Sequence, residues 1–230
     1  MTASRPPDRR FRSAIFDFDG LIADTESLHF ETFSRVLREV GIVLAPDVDA
    51  AHFMGQHDRA CFEEVFEENG RSLQADELGE LVSRKSRYYR TGLSAVRLFP
   101  GAAETVRDAR ERVAASVIAS GGRRDEIESI LEANGLLSFF PWMVTADDEV
   151  KPKPHPECFE KALAGLRDRG LPDLLPDECV VFEDSYRGVQ AAVAAGMYCV
   201  AVTNSFDAER LRRAGADRVL GSLEEWDWGA

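Results

Sequence analysis

The sequence predicts an α/β protein in which a parallel sheet is flanked by helices and interrupted early by an all-helical insertion. Three observations carry this. Ser13 to Phe18 is an almost continuous apolar run of strand length, the pattern of a strand buried on both faces. From Phe99 onward, short apolar runs alternate with amphipathic helical segments, which implies parallel pairing with crossover helices on both faces. Between the two, Glu26 to about Gly92 shows helical periodicity and no strand pattern. The layout is Rossmann-like, with residues 1–25 and 93–230 forming the α/β core and residues 26–92 an inserted helical domain.

Each element follows from its own residues. The first strand breaks at Gly20. Phe30, Phe33, Val36, Leu37 and Val40 recur at three- and four-residue steps, so Glu26 to Val40 reads as a helix, stopped by Gly41 and capped by Asp24 or Thr25. Helices are expected at about Arg59 to Glu68 and Asp76 to Arg90, set apart by Asn69-Gly70. In the core, Gly101 to Arg112 reads as a helix, Ala115 to Ala119 as a strand ending at Ser120-Gly121-Gly122, Arg124 to Asn134 as a helix and Trp142 to Thr145 as a strand. The proline-rich Lys151 to Pro156 leads into a helix running to about Arg169. Cys179 to Phe182 reads as a buried strand ending at Glu183-Asp184-Ser185, with Ser185 capping a helix that Gly196 terminates. Cys199 to Val202 makes a further strand.

At 230 residues, 44% hydrophobic and 30% charged, the chain has the composition of a soluble globular protein. Its net charge of −13 argues against nucleic acid and anionic membrane surfaces as partners. An anionic substrate would have to be drawn in by a local cation. No run approaches the roughly 18 apolar residues a membrane-spanning helix needs, and Met1 to Arg12 reads as a frayed terminus rather than a signal peptide. Cys61, Cys158, Cys179 and Cys199 lack CxxC spacing, which fits reduced core or surface thiols in a cytoplasmic protein. A monomer is expected.

In an open parallel sheet, ligands bind beyond the carboxyl ends of the strands. Four polar groups fall there: Asp17 with Asp19, Ser120 with Gly121, Lys151, and Glu183 with Asp184. A strand that unwinds at Gly20 can turn Asp19 inward beside Asp17, and such a pair suits a division between an ionised nucleophile and a proton carrier. Taken alone, each group has a plainer reading: solvated carboxylates at a strand end, an ordinary Ser-Gly-Gly turn, or acids favoured by a helix dipole. The chain has four lysines against 24 arginines, and a compact ammonium suits a crowded anionic site. Lys153 is the competing candidate.

These motifs, Asp17-Phe18-Asp19-Gly20 with Asp24-Thr25-Glu26, Ser120, Lys151-Pro152-Lys153-Pro154-His155-Pro156, and Phe182-Glu183-Asp184-Ser185 with Gly188-Val189 and Ala194-Ala195-Gly196-Met197, stand in order at strand ends. With them the chain resembles the haloacid dehalogenase-like superfamily of phosphotransferases, in the branch that contains phosphoglycolate phosphatase and beta-phosphoglucomutase, helical cap included. The resemblance implies a nucleophilic Asp17 that forms an aspartyl-phosphate and an Asp19 that protonates the leaving oxygen and then activates water. It also implies Mg²⁺ held by Asp17, the Asp19 carbonyl and Asp184, with Glu183 a ligand or a supporting acceptor. Ser120 and the Gly121 amide would hold phosphoryl oxygens, and Lys151, directly before the first proline, would neutralise charge.

On this reading the protein is a Mg²⁺-dependent phosphatase of a small phosphorylated metabolite, a sugar phosphate or phosphoglycolate-like monoester. A mutase of the beta-phosphoglucomutase type would use the same residues and return the phosphoryl group to sugar. A phospho-accepting receiver module combines similar groups, but Asp19 and the inserted helices argue against it, and a dehalogenase would have no purpose for Glu183-Asp184. Substrate contacts are expected from His29 on the first inserted helix, from Arg59 in the stretch Met54 to Arg59, which resembles a glycine-containing cap loop, and from Lys85. The mutase-like pattern would place an arginine where this chain has Asp58. Arg84, Arg87 and Arg90 read as a solvated helix face, and His52 and His155 as structural or surface residues.

Overall fold

The computed structural model describes residues 11–44, 58–148 and 150–228. The chain divides into two compact units, Met1–Ala23 with Arg97–Ala230, and Asp24–Val96.

The first unit is built on six parallel strands: β1 (Ser13–Phe16), β2 (Ala115–Ala119), β3 (Met143–Val144), β4 (Cys179–Glu183), β5 (Tyr198–Val202) and β6 (Arg218–Leu220). Their order across the sheet is β3-β2-β1-β4-β5-β6. The first strand in sequence therefore lies at the centre, with Phe16 beside Ile118 on one side and Phe182 on the other. Strands covered on both faces are predominantly apolar, and β1, β4 and most of β5 are buried along their length, with polar Ser13 and Glu183 confined to strand ends. Side chains alternate between faces. Ile15, Val117, Val181 and Cys199 join one core cluster with Phe159, Val189 and Leu211. On the neighbouring strand positions, Phe16 stacks on Phe182 at 4.8 Å and meets Phe140 edge-on.

The crossover helices are α4 (Ala102–Arg112), α5 (Arg124–Ala133), α6 (Glu157–Asp168), α7 (Tyr186–Ala194) and α8 (Ala208–Ala214). Ser185 caps α7, its hydroxyl accepting from the Gly188 N–H. Helix α8 and strand β6 were not foreseen. A seven-residue helix offers under two full turns of periodicity, and Arg218-Val219-Leu220 is too short to register as a strand. All four cysteines are free and buried.

The second unit contains α1 (Thr25–Glu39), α2 (Asp58–Glu68) and α3 (Ala75–Gly92). Asp24 caps α1, accepting from the Ser27 N–H. Apolar residues at helical spacing, Phe33, Val36 and Leu37 on α1, Phe62, Val65 and Phe66 on α2, Leu78 and Leu81 on α3, close on one another as a separate core. Residues 45–57, with His52 and most of the expected loop from Met54, lie outside the described residues, as do residues 1–10 of the expected frayed terminus. Among the described residues, no helix is long and apolar enough to cross a membrane.

Candidate active site

The carboxyl ends of the central strands bring the polar groups of the first unit together. Asp17 follows β1 directly, and its N–H donates to the Phe182 carbonyl (3.0 Å), so the chain stays bound to β4 for one residue past the strand. The backbone then turns at Gly20, with φ +79°, and folds back so that the Gly20 N–H donates to Ala23. A side chain at Gly20 would overlap the Asp184 carboxylate. Glycine serves there both for the left-handed backbone and for the close approach of β4's end.

Asp17 Oδ1 accepts from Lys153 Nζ at 2.6 Å, and the same ammonium donates to Glu183 Oε1 at 2.7 Å and to the Ala119 carbonyl at 3.1 Å. Three N–H bonds of one ammonium are thus spent on the ends of three strands. Glu183, fully buried, turns its other oxygen toward the Asp184 N–H, the Ser185 N–H and the Ser185 hydroxyl, at 2.9, 2.9 and 3.0 Å. Both Glu183 oxygens are therefore engaged by the protein. Through these bonds Glu183 links Lys153 to the loop into α7. Helix α7 adds a further constraint, because a Cβ at Gly188 would overlap the Glu183 carboxylate.

The lysine of the cluster is Lys153, not the expected Lys151. Lys151 is exposed, and its backbone N–H meets Glu157 at 3.3 Å. The run Lys-Pro-Lys-Pro repeats the same dipeptide, so residue type does not separate the two. Position relative to α6 does. Cys158 and Phe159, in the first turn of α6, are buried, and Lys153, just ahead of that turn, lies with its ammonium 5.0 Å over the Phe159 ring. Lys151 is two residues further from that anchor.

Asp19 accepts from the Ser120 hydroxyl at 3.0 Å, and that hydroxyl in turn accepts from the Gly122 N–H at 2.9 Å. Ser120 is buried at the end of β2, its N–H bonded to Val144. Gly121 is exposed beside it. Two residues that the sequence did not single out complete the group. Ser205, in the loop after β5, donates its hydroxyl to Asp184 Oδ2, and Asn204 Nδ2 donates to the Gly20 carbonyl at 2.8 Å.

The electrostatics are those of a buried carboxylate cluster around one ammonium. Burial pushes the Asp17 carboxyl up to about 7, with Lys153 opposing and Glu183 and Asp19 reinforcing the rise. Burial, with Glu183 and Asp17, raises Asp184 well above the usual carboxylate range. Desolvation works against the Lys153 ammonium, but Asp17 and Glu183 outweigh it and hold its pKa well above that of an ordinary lysine. Carboxylate oxygens of Asp17, Glu183 and Asp184 lie within 4.8 Å of one another, with one ammonium among them. Three buried carboxylates share one cation, and this crowding together with burial favours the protonated forms of Asp17 and Asp184 until a further cation is supplied. The donors are hard carboxylate oxygens, the ligand type Mg²⁺ takes, so the residues fit that ion.

The remaining expected contacts lie in the second unit. Lys85 is 3% exposed on the buried stripe of α3, with Leu78, Leu81 and Tyr89. Its ammonium is paired with Asp58 and lies 2.8 Å from His29 Nδ1. The His29 ring stacks on Tyr89 at 4.1 Å. Arg59 is exposed at the start of α2. Arg84 pairs with Glu80 and Glu39, and Arg87 lies 3.6 Å from Glu80. His155 is exposed.

Residues 14–202 match the family model of the haloacid dehalogenase-like hydrolases. Among curated relatives, the validoxylamine A 7'-phosphate phosphatase of Streptomyces hygroscopicus subsp. limoneus is 31% identical over 220 residues, covering 95% of this chain and 97% of that protein. The phosphorylated carbohydrates phosphatase of Thermotoga maritima is 28% identical over 222 residues, covering 93% and 98%. Among solved structures, a HAD family hydrolase from Deinococcus radiodurans R1, with phosphate and sodium bound, superposes with a TM-score of 0.76 at 26% identity, over 95% of this chain and 94% of that one.

Proposed function

The chain belongs to the haloacid dehalogenase-like hydrolase family, and from that premise we propose that it is a Mg²⁺-dependent phosphatase working through an aspartyl-phosphate on Asp17. That it is a phosphatase, a hydrolase of phosphoric monoesters, follows from its family and relatives. The observation that carries the mechanism is the Lys153 ammonium held between Asp17 and Glu183 at the ends of the central strands.

Asp17 attacks phosphorus as the bond to the leaving oxygen breaks, and Asp19 gives that oxygen a proton. In the second half, Asp19 takes a proton from water as the water oxygen attacks phosphorus. The bond to Asp17 then breaks, releasing inorganic phosphate and restoring the carboxylate. Asp17, Asp184 and the Asp19 carbonyl are the groups we assign to Mg²⁺, which when bound supplies charge neutralisation between the nucleophile and the phosphoryl oxygens. Lys153 adds a fixed positive charge to the same region, and its bonds to Glu183 and Ala119 hold it there before substrate arrives. Ser120 is assigned to a phosphoryl oxygen, at the head of the crossover into α5.

The substrate class we assign is a small phosphorylated metabolite of the sugar-phosphate or phosphoglycolate type. A local cation at the strand ends meets the need that a net charge of −13 imposes on a protein that takes an anion. The test is phosphate release across sugar phosphates, phosphoglycolate and nucleoside monophosphates, with and without Mg²⁺, alongside Asp17→Asn. Metal-dependent release on a few members, reduced at least ~10⁴-fold in Asp17→Asn, is the expected result. Metal-independent release, or a variant with an appreciable fraction of the wild-type rate, removes the mechanism.

A further inference from the structure

The loop after β5 carries two consecutive polar side chains that reach the chain just past the ends of β1 and β4. Thr203, Asn204 and Ser205 are half-buried, and the loop is anchored by the Thr203 N–H donating to the Leu220 carbonyl at 3.0 Å. From there, consecutive residues reach two different segments. Asn204 Nδ2 donates to the Gly20 carbonyl at 2.8 Å, and the Ser205 hydroxyl donates to Asp184 Oδ2. Those two segments also meet each other, because the space a Gly20 Cβ would need is filled by the Asp184 carboxylate, with Ser205 Oγ at 2.9 Å. Polar side chains on such connecting loops ordinarily turn to water. Here both are spent on the main-chain turn that follows Asp19 and on the carboxylate that follows β4.

We propose that Ser205 and Asn204 are positioning residues for the cation site. Ser205 occupies one oxygen of Asp184 and so fixes the plane and direction of the carboxylate, leaving the other oxygen for the ion. Asn204 fixes the Gly20 peptide and with it the turn that carries Asp19. A carboxylate free to rotate loses that freedom on binding a cation, and one already held does not. The inference rests on the Mg²⁺ assignment made above for Asp17, Asp184 and the Asp19 carbonyl. It adds that affinity for the ion is set partly from a loop that contributes no ligand of its own.

The experiment measures binding of Mn²⁺ alone by electron paramagnetic resonance, and of Mg²⁺ alone by calorimetry, to the full chain without substrate. The proteins are the wild type, Ser205→Ala, Ser205→Thr and Asn204→Ala, with thermal unfolding of each in the absence of metal. Loss of a hydrogen bond to a metal-ligating carboxylate weakens affinity by roughly 10–100-fold. A Kd weakened about tenfold or more in Ser205→Ala and Asn204→Ala is expected, with restoration in Ser205→Thr, which keeps the hydroxyl, and a metal-free unfolding temperature near that of the wild type. Wild-type affinity in Ser205→Ala overturns the positioning role. An affinity lost in Ser205→Thr as in Ser205→Ala also overturns it, because the hydroxyl is then not what matters. Absence of binding in the wild type overturns the Mg²⁺ assignment itself, an outcome separate from failure of the inference.

Discussion

Lys153 Nζ lies 2.6 Å from Asp17 Oδ1, so the ammonium that serves this carboxylate comes from the second lysine of the Lys-Pro-Lys-Pro run. The two lysines therefore make an internal control. Lys153→Ala is expected to lower kcat/KM for phosphate release by ~10²–10³-fold or more, and Lys151→Ala to leave it within about threefold. Removing Lys153 also leaves Asp17 and Glu183 facing each other without a cation, which costs about 3–5 kcal/mol when one partner of a buried pair is lost. Rates are accordingly compared on protein shown by circular dichroism to be folded. Equal losses in the two variants would refute the assignment.

Gly188→Ala distinguishes close packing from helix propensity. In the first turn of a helix, alanine is favoured over glycine by up to ~1 kcal/mol, so propensity alone predicts a more stable protein. The Glu183 carboxylate occupies the space the new methyl needs, and it cannot withdraw without giving up its bonds to Asp184, Ser185 and Lys153. The expected result is destabilisation of roughly 1–3 kcal/mol with reduced phosphate release. A stabilised, active variant in urea unfolding and turnover assays would show that the contact yields easily.

Asp148, just after β3, makes a pH-dependent contribution to stability. Burial acts to raise its pKa, but the Thr145 N–H and hydroxyl, at 2.9 and 3.2 Å, with Lys161 and Arg124, hold the carboxyl below the usual range. A carboxylate depressed in the folded state stabilises at pH above its ordinary value, near ~4, and that contribution fades as pH falls through the lowered folded value. Asp148→Asn should therefore cost about 1–2 kcal/mol at neutral pH, the difference from wild type shrinking in acid. Urea unfolding at two pH values checks this, and a difference that does not change with pH counts against it.

What could be read from sequence follows a physical boundary. Asp17, Ser120, Glu183 and Asp184 stood out because each ends an apolar run, where a polar residue marks the exit from a buried strand. Lys151 and Lys153 could not be separated that way, because a long side chain leaving a proline-rich loop reaches wherever the next anchored element directs it. Here the anchor is the burial of Cys158 and Phe159 in α6. Asn204 and Ser205 carried no charge and no pattern. Their roles arise from the approach of Gly20 to Asp184, which belongs to the tertiary structure alone. The sequence sets Lys85 apart from its basic neighbours as a substrate contact, but its pairing with Asp58 and its approach to His29 are products of the tertiary structure.

The central place of β1, between β2 and β4, has a consequence for how the protein is made. Asp17 precedes in sequence the carboxylates and loop that surround it, which belong to β4 and to the segment after β5. A nascent chain therefore carries the apolar strand Ser13–Phe16 without its β4 partner until β4 is translated. Parallel pairing across such a separation in sequence is slow. No amino-terminal fragment ending before β4 can hold the Lys153 ammonium between its two carboxylates, so this cluster can close only once β4 has joined the sheet.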